Sequence, residues 1–389
     1  MARKRIIYQS EALFTDVNGT GASSTGDGIV QLHRVQDIGH SVDLGRTDIN
    51  EFGQLSYIAR EVTEPPTVGL DFTYYAVGGW NESGIGLTVR DSRGITNERQ
   101  ALSGFMASSA GSNDNGQNYY VLTVPEGEDA TAGMNGSGTP FTAAQSAKNA
   151  VIGFGNGNLS SYSFEASVGD IPTASVSIEA SNINYEPDSH EFQNPAINTT
   201  DGSKQPGVVT LPSANSGVLG VAALRAGDIT LDFQASNALD GGGVSLDTTT
   251  GILVQNFSIE LPLSRTPIQR MGSFLPFARP LDLPASTTLS VNAIIAEAYQ
   301  SGNLADLLCA AGQGDKRDIT INMYEKCSRS NLNMQFVMKG AYLDSQNMSS
   351  SIGDNKTVDL VFSSQLGGAN DTENGVFISG ADAGKQDLR

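Results

Sequence analysis

Basic residues are scarce in this 389-residue chain: 23 Lys and Arg stand against 42 Asp and Glu, for a net charge of −19. Affinity for phosphates depends on clustered Lys and Arg, so the composition argues against a nucleic-acid-binding surface and favours repulsion. Cysteine is almost absent. Cys309 and Cys327 are the only two, which gives no disulfide framework and fits synthesis in a reducing compartment. Cys309 falls on the apolar face of an expected helix and Cys327 follows an expected strand, so both read as buried or incidental thiols. The three histidines, His33, His40 and His190, sit in no HExxH or HxH pattern, and no CxxC occurs, so no metal site is expected. No GxSxG, P-loop or dinucleotide fingerprint is present. With 42 carboxylates, some pair must fall at glycosidase spacing by accident, so none is nominated. A single tryptophan, Trp80, is a poor supply of sugar-stacking platforms. No run of 18 apolar residues occurs, and the opening MARKRIIYQSEALF lacks the apolar core of a signal peptide. These absences lead to the expectation of a soluble, cytoplasmically made protein that is not an enzyme and carries no cofactor.

What the chain has instead is glycine, β-forming residues and an internal repeat. Forty-four glycines with abundant Ser, Thr, Asn and Val point to a mainly β protein with many turns. Val35–Phe72 aligns with Val254–Val291 at a constant shift of 219, with eleven identities in 38 positions. Unrelated stretches of this composition would share about two or three. The identities include Arg46/Arg265, Gly53/Gly272 and Arg60/Arg279. Leu159–Ser181 matches Leu343–Gln365 at a shift of 184, so the first copy must hold 35 extra residues between its blocks. Arg90–Ala150, with GSNDNGQ and EGEDATAGMNGSGTP, supplies loop composition for them. The resulting division is a first copy over 1–185 with an insertion at 90–150, a linker at 186–219, a second copy over 220–366 and a flexible tail over 367–389.

Within each copy the pattern is of half-buried antiparallel strands. Val68, Leu70, Phe72 and Tyr74 alternate with polar residues, as do Leu289, Val291 and Ala293. The closing strands alternate Ala174, Val176, Ile178 and Ala180, and then Val358, Leu360 and Phe362, after Gly-Asp turns at 169–170 and 353–354. Short helices are expected at LADLLCAAG after Asn303, and around Leu102, Phe105 and Met106. Their apolar stripes read as core covering one sheet face. Arg46–Glu64 has no clean period and ends in Pro65-Pro66, so it is expected as a long ordered loop between strands. The arginines it repeats, Arg46, Arg60, Arg265 and Arg279, fit two roles: pairing inside a domain, or bridging carboxylates and carbonyls between subunits. Gly53 and Gly272 suit a turn of positive φ.

The order of parts resembles the tail tube (major tail) proteins of long-tailed bacteriophages: early strands, a long loop, an extended strand into a short helix, and a closing alternating strand (TASVSIEAS, KTVDLVFSS). The likeness covers most of residues 29–185 and 220–366. It implies two tandem tube domains whose antiparallel sheets close into a ring-shaped β-barrel on oligomerisation. Since family rings are commonly hexameric, a two-domain chain would form homotrimeric, pseudo-hexameric rings. Stacked through the long loop, these would make the virion's tail tube, assembled in the host cytoplasm and conducting DNA at ejection without binding it specifically. The implied partners are further copies of the chain and the tape measure, baseplate and tail terminator proteins; membranes are not among them. An acidic bore would repel phosphates, and Glu179 and Asp359 are candidates for its lining. Two other readings stay open: a baseplate or hub ring component, which would close without stacking, and a carbohydrate-binding β-protein.

Overall fold

The computed structural model describes residues 11–16, 28–91, 99–106, 116–124, 130, 149–187, 191–198, 202–211, 228–235, 252–272, 275–276, 278–295, 316–325, 331–350 and 355–383. The first half runs β1 (Glu11–Asp16), β2 (Ile29–Gln31), β3 (Val35–Asp43), β4 (Arg46–Ile49), β5 (Ala59–Val62), β6 (Thr67–Tyr75), α1 (Trp80–Gly84), β7 (Val89–Asp91), α2 (Ser103–Met106), β8 (Gln117–Thr123), β9 (Ala150–Ser167), β10 (Thr173–Ala180) and β11 (Asn182–Pro187). After β12 (Glu191–Gln193) and β13 (Val208–Thr210), the second half has β14 (Ile229–Ala235), β15 (Ile252–Pro262), β16 (Ser286–Ile295), β17 (Arg317–Tyr324), β18 (Leu332–Ser349), β19 (Thr357–Gln365) and β20 (Gly375–Gly380). The protein is therefore mainly β with two very short helices among the described residues.

The period-2 alternation drives the assembly of the sheet. Val68, Leu70, Phe72 and Tyr74 of β6 point inward, as do Ala174, Val176, Ile178 and Ala180 of β10 and Val358, Leu360 and Phe362 of β19. A one-residue slip would expose each of these rows, so burial of one face fixes the register. One main path connects the strands in the order β14, β17, β18, β19, β16, β15, β9, β10, β6, β3, and it ends on β3 without closing. Its inward face forms a single apolar cluster that takes Phe72, Tyr162 and Phe164 from the first half and Phe257, Leu289 and Phe362 from the second.

The pairings of the second half follow those of the first at fixed shifts. In β10–β9, Ala174 faces Phe164, and in β19–β18, Val358 faces Met348, 184 residues on. The irregularity between Ser177 and Ile178 has its counterpart between Val361 and Phe362, where β18 skips from Ser345 to Leu343. β3–β6 and β15–β16 share a bulge after Val35 and Val254. β1–β8–β9–β11 is likewise matched by β14–β17–β18–β20. The shift drops from 219 for β6 to 200 for β8 and 184 for β9, so the extra residues of the first half divide around β8. Within 90–150, where the sequence leads from a short helix into a strand over Tyr119–Val124 and does the same over Ile319–Tyr324, β8 and its counterpart β17 are found at these places.

Other expectations are corrected. Arg46–Glu64 is not a loop throughout: β4 and β5 pair as an antiparallel hairpin, Arg46 opposite Val62 and Ile49 opposite Ala59. From Gly367, where a flexible tail was expected, the chain enters β20, whose residues are all buried between β18 and β7. Between the halves, β12 and β13 pair, and Phe192 and Val209 are buried beside Tyr120 and Leu122. The short helix α1 was not foreseen. Trp80 anchors it by donating from Nε1 to the Gln31 carbonyl at 2.9 Å. The helix expected after Asn303, both cysteines and His190 lie outside the described residues.

Candidate functional site

The junction between the halves is made by β9 and β15. The C-terminal part of β9 carries β10 on one edge and β15 on the other, with Ala166 opposite Phe257, Phe164 opposite Ile259 and Tyr162 opposite Leu261. All six are buried. Phe164 stacks on Phe257 at 6.2 Å between ring centroids and lies 4.8 Å from Phe336. Backbone hydrogen bonds extend the seam at both ends, from Val168 N to Gln255 O at 2.8 Å and from Leu263 N to Ser160 O at 2.9 Å.

The second half's arginines lock this seam. Leaving β15, the chain makes a short hairpin-like excursion with bridges Arg265–Leu281 and Ile268–Ala278, the counterparts of the β4–β5 pairs. Arg265 donates from Nη1 to the Arg279 carbonyl at 2.8 Å and from Nε to the Leu159 carbonyl at 3.4 Å, and its guanidinium lies 5.6 Å from the Phe105 ring centroid. Arg279, with 8% of its side chain exposed, donates from Nη1 to Glu179 Oε1 at 2.5 Å. Both arginines therefore reach from the second half onto β9 and β10 of the first. Glu179, a candidate for the bore lining, is engaged in this ion pair.

The first half's arginines stand differently. Arg60 pairs with Asp48 at 2.8 Å inside its own hairpin, both half-exposed, and Arg46 is exposed. Gly53 and Gly272 have φ of +93° and +89°, with open space where a Cβ would be. Conformation, not crowding, is what calls for glycine there. The two tips also share exposed apolar side chains, Phe52 and Leu55 in one and Met271 in the other. Asp359 lies on the polar face of β19 and accepts a hydrogen bond from Asn292 Nδ2 at 2.5 Å.

The strand edges that have no partner among the described residues include one of β3 and one of β18. β3 pairs only with β6, and β18 from Tyr342 to Ser349 pairs only with β19. Val42, Leu44, Tyr342 and Met348 are exposed along them.

One buried acid has no sequence signal. Glu82 of α1 accepts from Tyr74 Oη at 2.9 Å and from Tyr162 Oη at 3.2 Å, both at Oε1. Its Oε2 is buried without a partner among the described residues. Burial lifts its carboxyl above the ordinary glutamate value, and burial beside Glu82 lifts both phenols well above theirs. The site is enclosed under the sheet and offers a fixed hydrogen-bonded cluster that ties α1 to β6 and β9.

No family model matches the chain, and no curated protein matches it. Among solved structures, a chain of the anti-feeding prophage baseplate, six-fold symmetrised, is 10% identical with a TM-score of 0.29, over 39% of this chain and 93% of that one. A chain from the tail of an empty GTA particle in C6 symmetry is 13% identical with a TM-score of 0.24, over 37% and 96% of the two chains. The crystal structure of an Hcp protein is 7% identical with a TM-score of 0.21, over 39% and 98%. In each case less than half of this chain is matched to nearly all of the other.

Proposed function

We propose that the chain is a structural virion subunit without an active site: a tail tube protein made of two tandem tube domains, three copies of which form a pseudo-hexameric ring. The observation that carries this reading is the repetition of strand pairings, bulges included, at fixed shifts in the two halves. A duplicated sheet unit that already joins its own copy side by side at β9–β15 has the means to join further copies the same way. Heterologous contacts that close around an axis make rings, and closure removes the exposed strand edges that otherwise invite aggregation. In this reading the second unit extends to Gly380, because β20 stands where β11 stands in the first.

The hairpin tips favour a stacked tube over a lone baseplate ring. Phe52, Leu55 and Met271 lie at equivalent ends of the two units and are fully exposed, which a neighbouring ring would cover. The net charge of −19 per chain suits a conduit to which DNA does not adhere. Negative-stain electron microscopy of the purified protein tests the proposal. Stacked rings with three-fold symmetry and six similar lobes around an open bore are expected. Discrete rings that never stack would favour the baseplate reading, and a monomer that fails to assemble at any concentration or with its virion neighbours would refute both.

A further inference from the structure

Building on the ring reading, we infer that neighbouring chains join by antiparallel pairing of β3 of one copy with the Tyr342–Ser349 part of β18 of the next, in the register of the internal β9–β15 seam. β3 is the counterpart of β15 at a shift of 219, and β18 is the counterpart of β9 at a shift of 184. The internal seam therefore uses one edge of each strand type, and the chain leaves the other copy of each edge unpaired among the described residues. Carrying the internal register across places Gly39 opposite Ser349, His40 opposite Met348, Ser41 opposite Asn347, Val42 opposite Gln346 and Asp43 opposite Ser345.

Burial supports the same pairing. Leu261 in the internal seam is 1% exposed, whereas its counterpart Val42 is 50% exposed; Phe164 is 0% exposed and its counterpart Met348 43%. Leu263 is buried and Leu44 is not. The free edges thus carry apolar side chains at the positions the internal seam covers, and a second copy docked in this register would cover them. The arginines follow suit. Arg46 would take the place of Arg265 against the carbonyl of Leu343, the counterpart of Leu159. Arg60 would take that of Arg279, but Ser363 stands where Glu179 stands, so it would meet a hydroxyl in place of a carboxylate.

Cysteine cross-linking tests the register. In a chain with Cys309→Ser and Cys327→Ser, Ser41→Cys with Asn347→Cys should form disulfide-linked dimers and closed trimers under mild oxidation. Asp43→Cys with Ser349→Cys, about four residues or roughly 14 Å out of register, should link at least tenfold less. A second variant, Val42→Asp, should raise the concentration needed for assembly at least tenfold while leaving the circular dichroism and melting of the monomer unchanged. Rings that form by electron microscopy yet link equally well in both cysteine pairs, or not at all, would overturn this seam and leave the ring reading standing. A chain that stays monomeric at every concentration would overturn the ring reading and the seam with it.

Discussion

The Arg279–Glu179 pair offers a measurable test of how the halves are held. Arg279 comes from the excursion after β15, Glu179 from β10, and 100 residues separate them. The guanidinium is nearly sealed from water and the carboxylate is about one-third exposed. A charge-assisted hydrogen bond in such a setting is worth about 1.5–3 kcal/mol, and solvent at Glu179 places this pair towards the lower end. Arg279→Met keeps the length of the stem and removes the charge. Glu179→Gln keeps an acceptor and removes the opposite charge. A double-mutant cycle in urea should give a coupling of about 1–2 kcal/mol, and the Arg279→Met transition should remain single, because Phe164, Phe257 and Phe336 bind both halves into one core. The hairpin should loosen first, with faster amide exchange at Ile268 and Asp282, whose N–H groups bond across it. A coupling below about 0.3 kcal/mol, or an unchanged exchange rate at both amides, would refute the claim that this pair fastens the seam.

Two further predictions concern the interior. Phe164→Ala should cost about 3–5 kcal/mol, because the ring is wholly buried and contacts aromatic rings from two strands of the other half; a loss under about 1 kcal/mol by urea denaturation would show that the seam collapses around the gap. Burial raises the Glu82 carboxyl in the folded state, so its contribution to stability is complete below the unfolded value of about 4.3 and is lost as pH rises through the folded value. Glu82→Gln retains an oxygen to accept from Tyr74 and Tyr162, and its melting temperature should gain on the wild type progressively as pH rises above the unfolded value; parallel melting curves across pH would refute the assignment.

The strands were legible wherever one face is buried and the other wet, as in β6, β10 and β19, since a period of two is then written directly in residue type. β20 was hidden because GVFISG is short, buried on both faces and set among Gly, Asp and Asn, so composition outweighed its three apolar, β-forming residues. The β4–β5 hairpin carries no alternation because neither face of it is core: none of its side chains is buried. α1 spans five residues after a left-handed Gly79, too few for any helical period to register. The arginine pairs were visible as repeats, yet their unequal fates were not. Arg265 and Arg279 find β9 and β10 of their own chain, and this depends on which strands lie side by side, a fact that local sequence does not encode. Glu82 was lost among the many acids for the same reason: only the fold brings Tyr74 and Tyr162 to it.

The internal seam also has a kinetic meaning. Because β9 and β15 belong to one polypeptide, their pairing is a folding event at the effective concentration set by the intervening chain, without the translational and rotational entropy that free partners lose on meeting. Any closed assembly of this chain then needs half as many intermolecular joints as one built from separate halves, and every second joint is already set when the first two molecules collide.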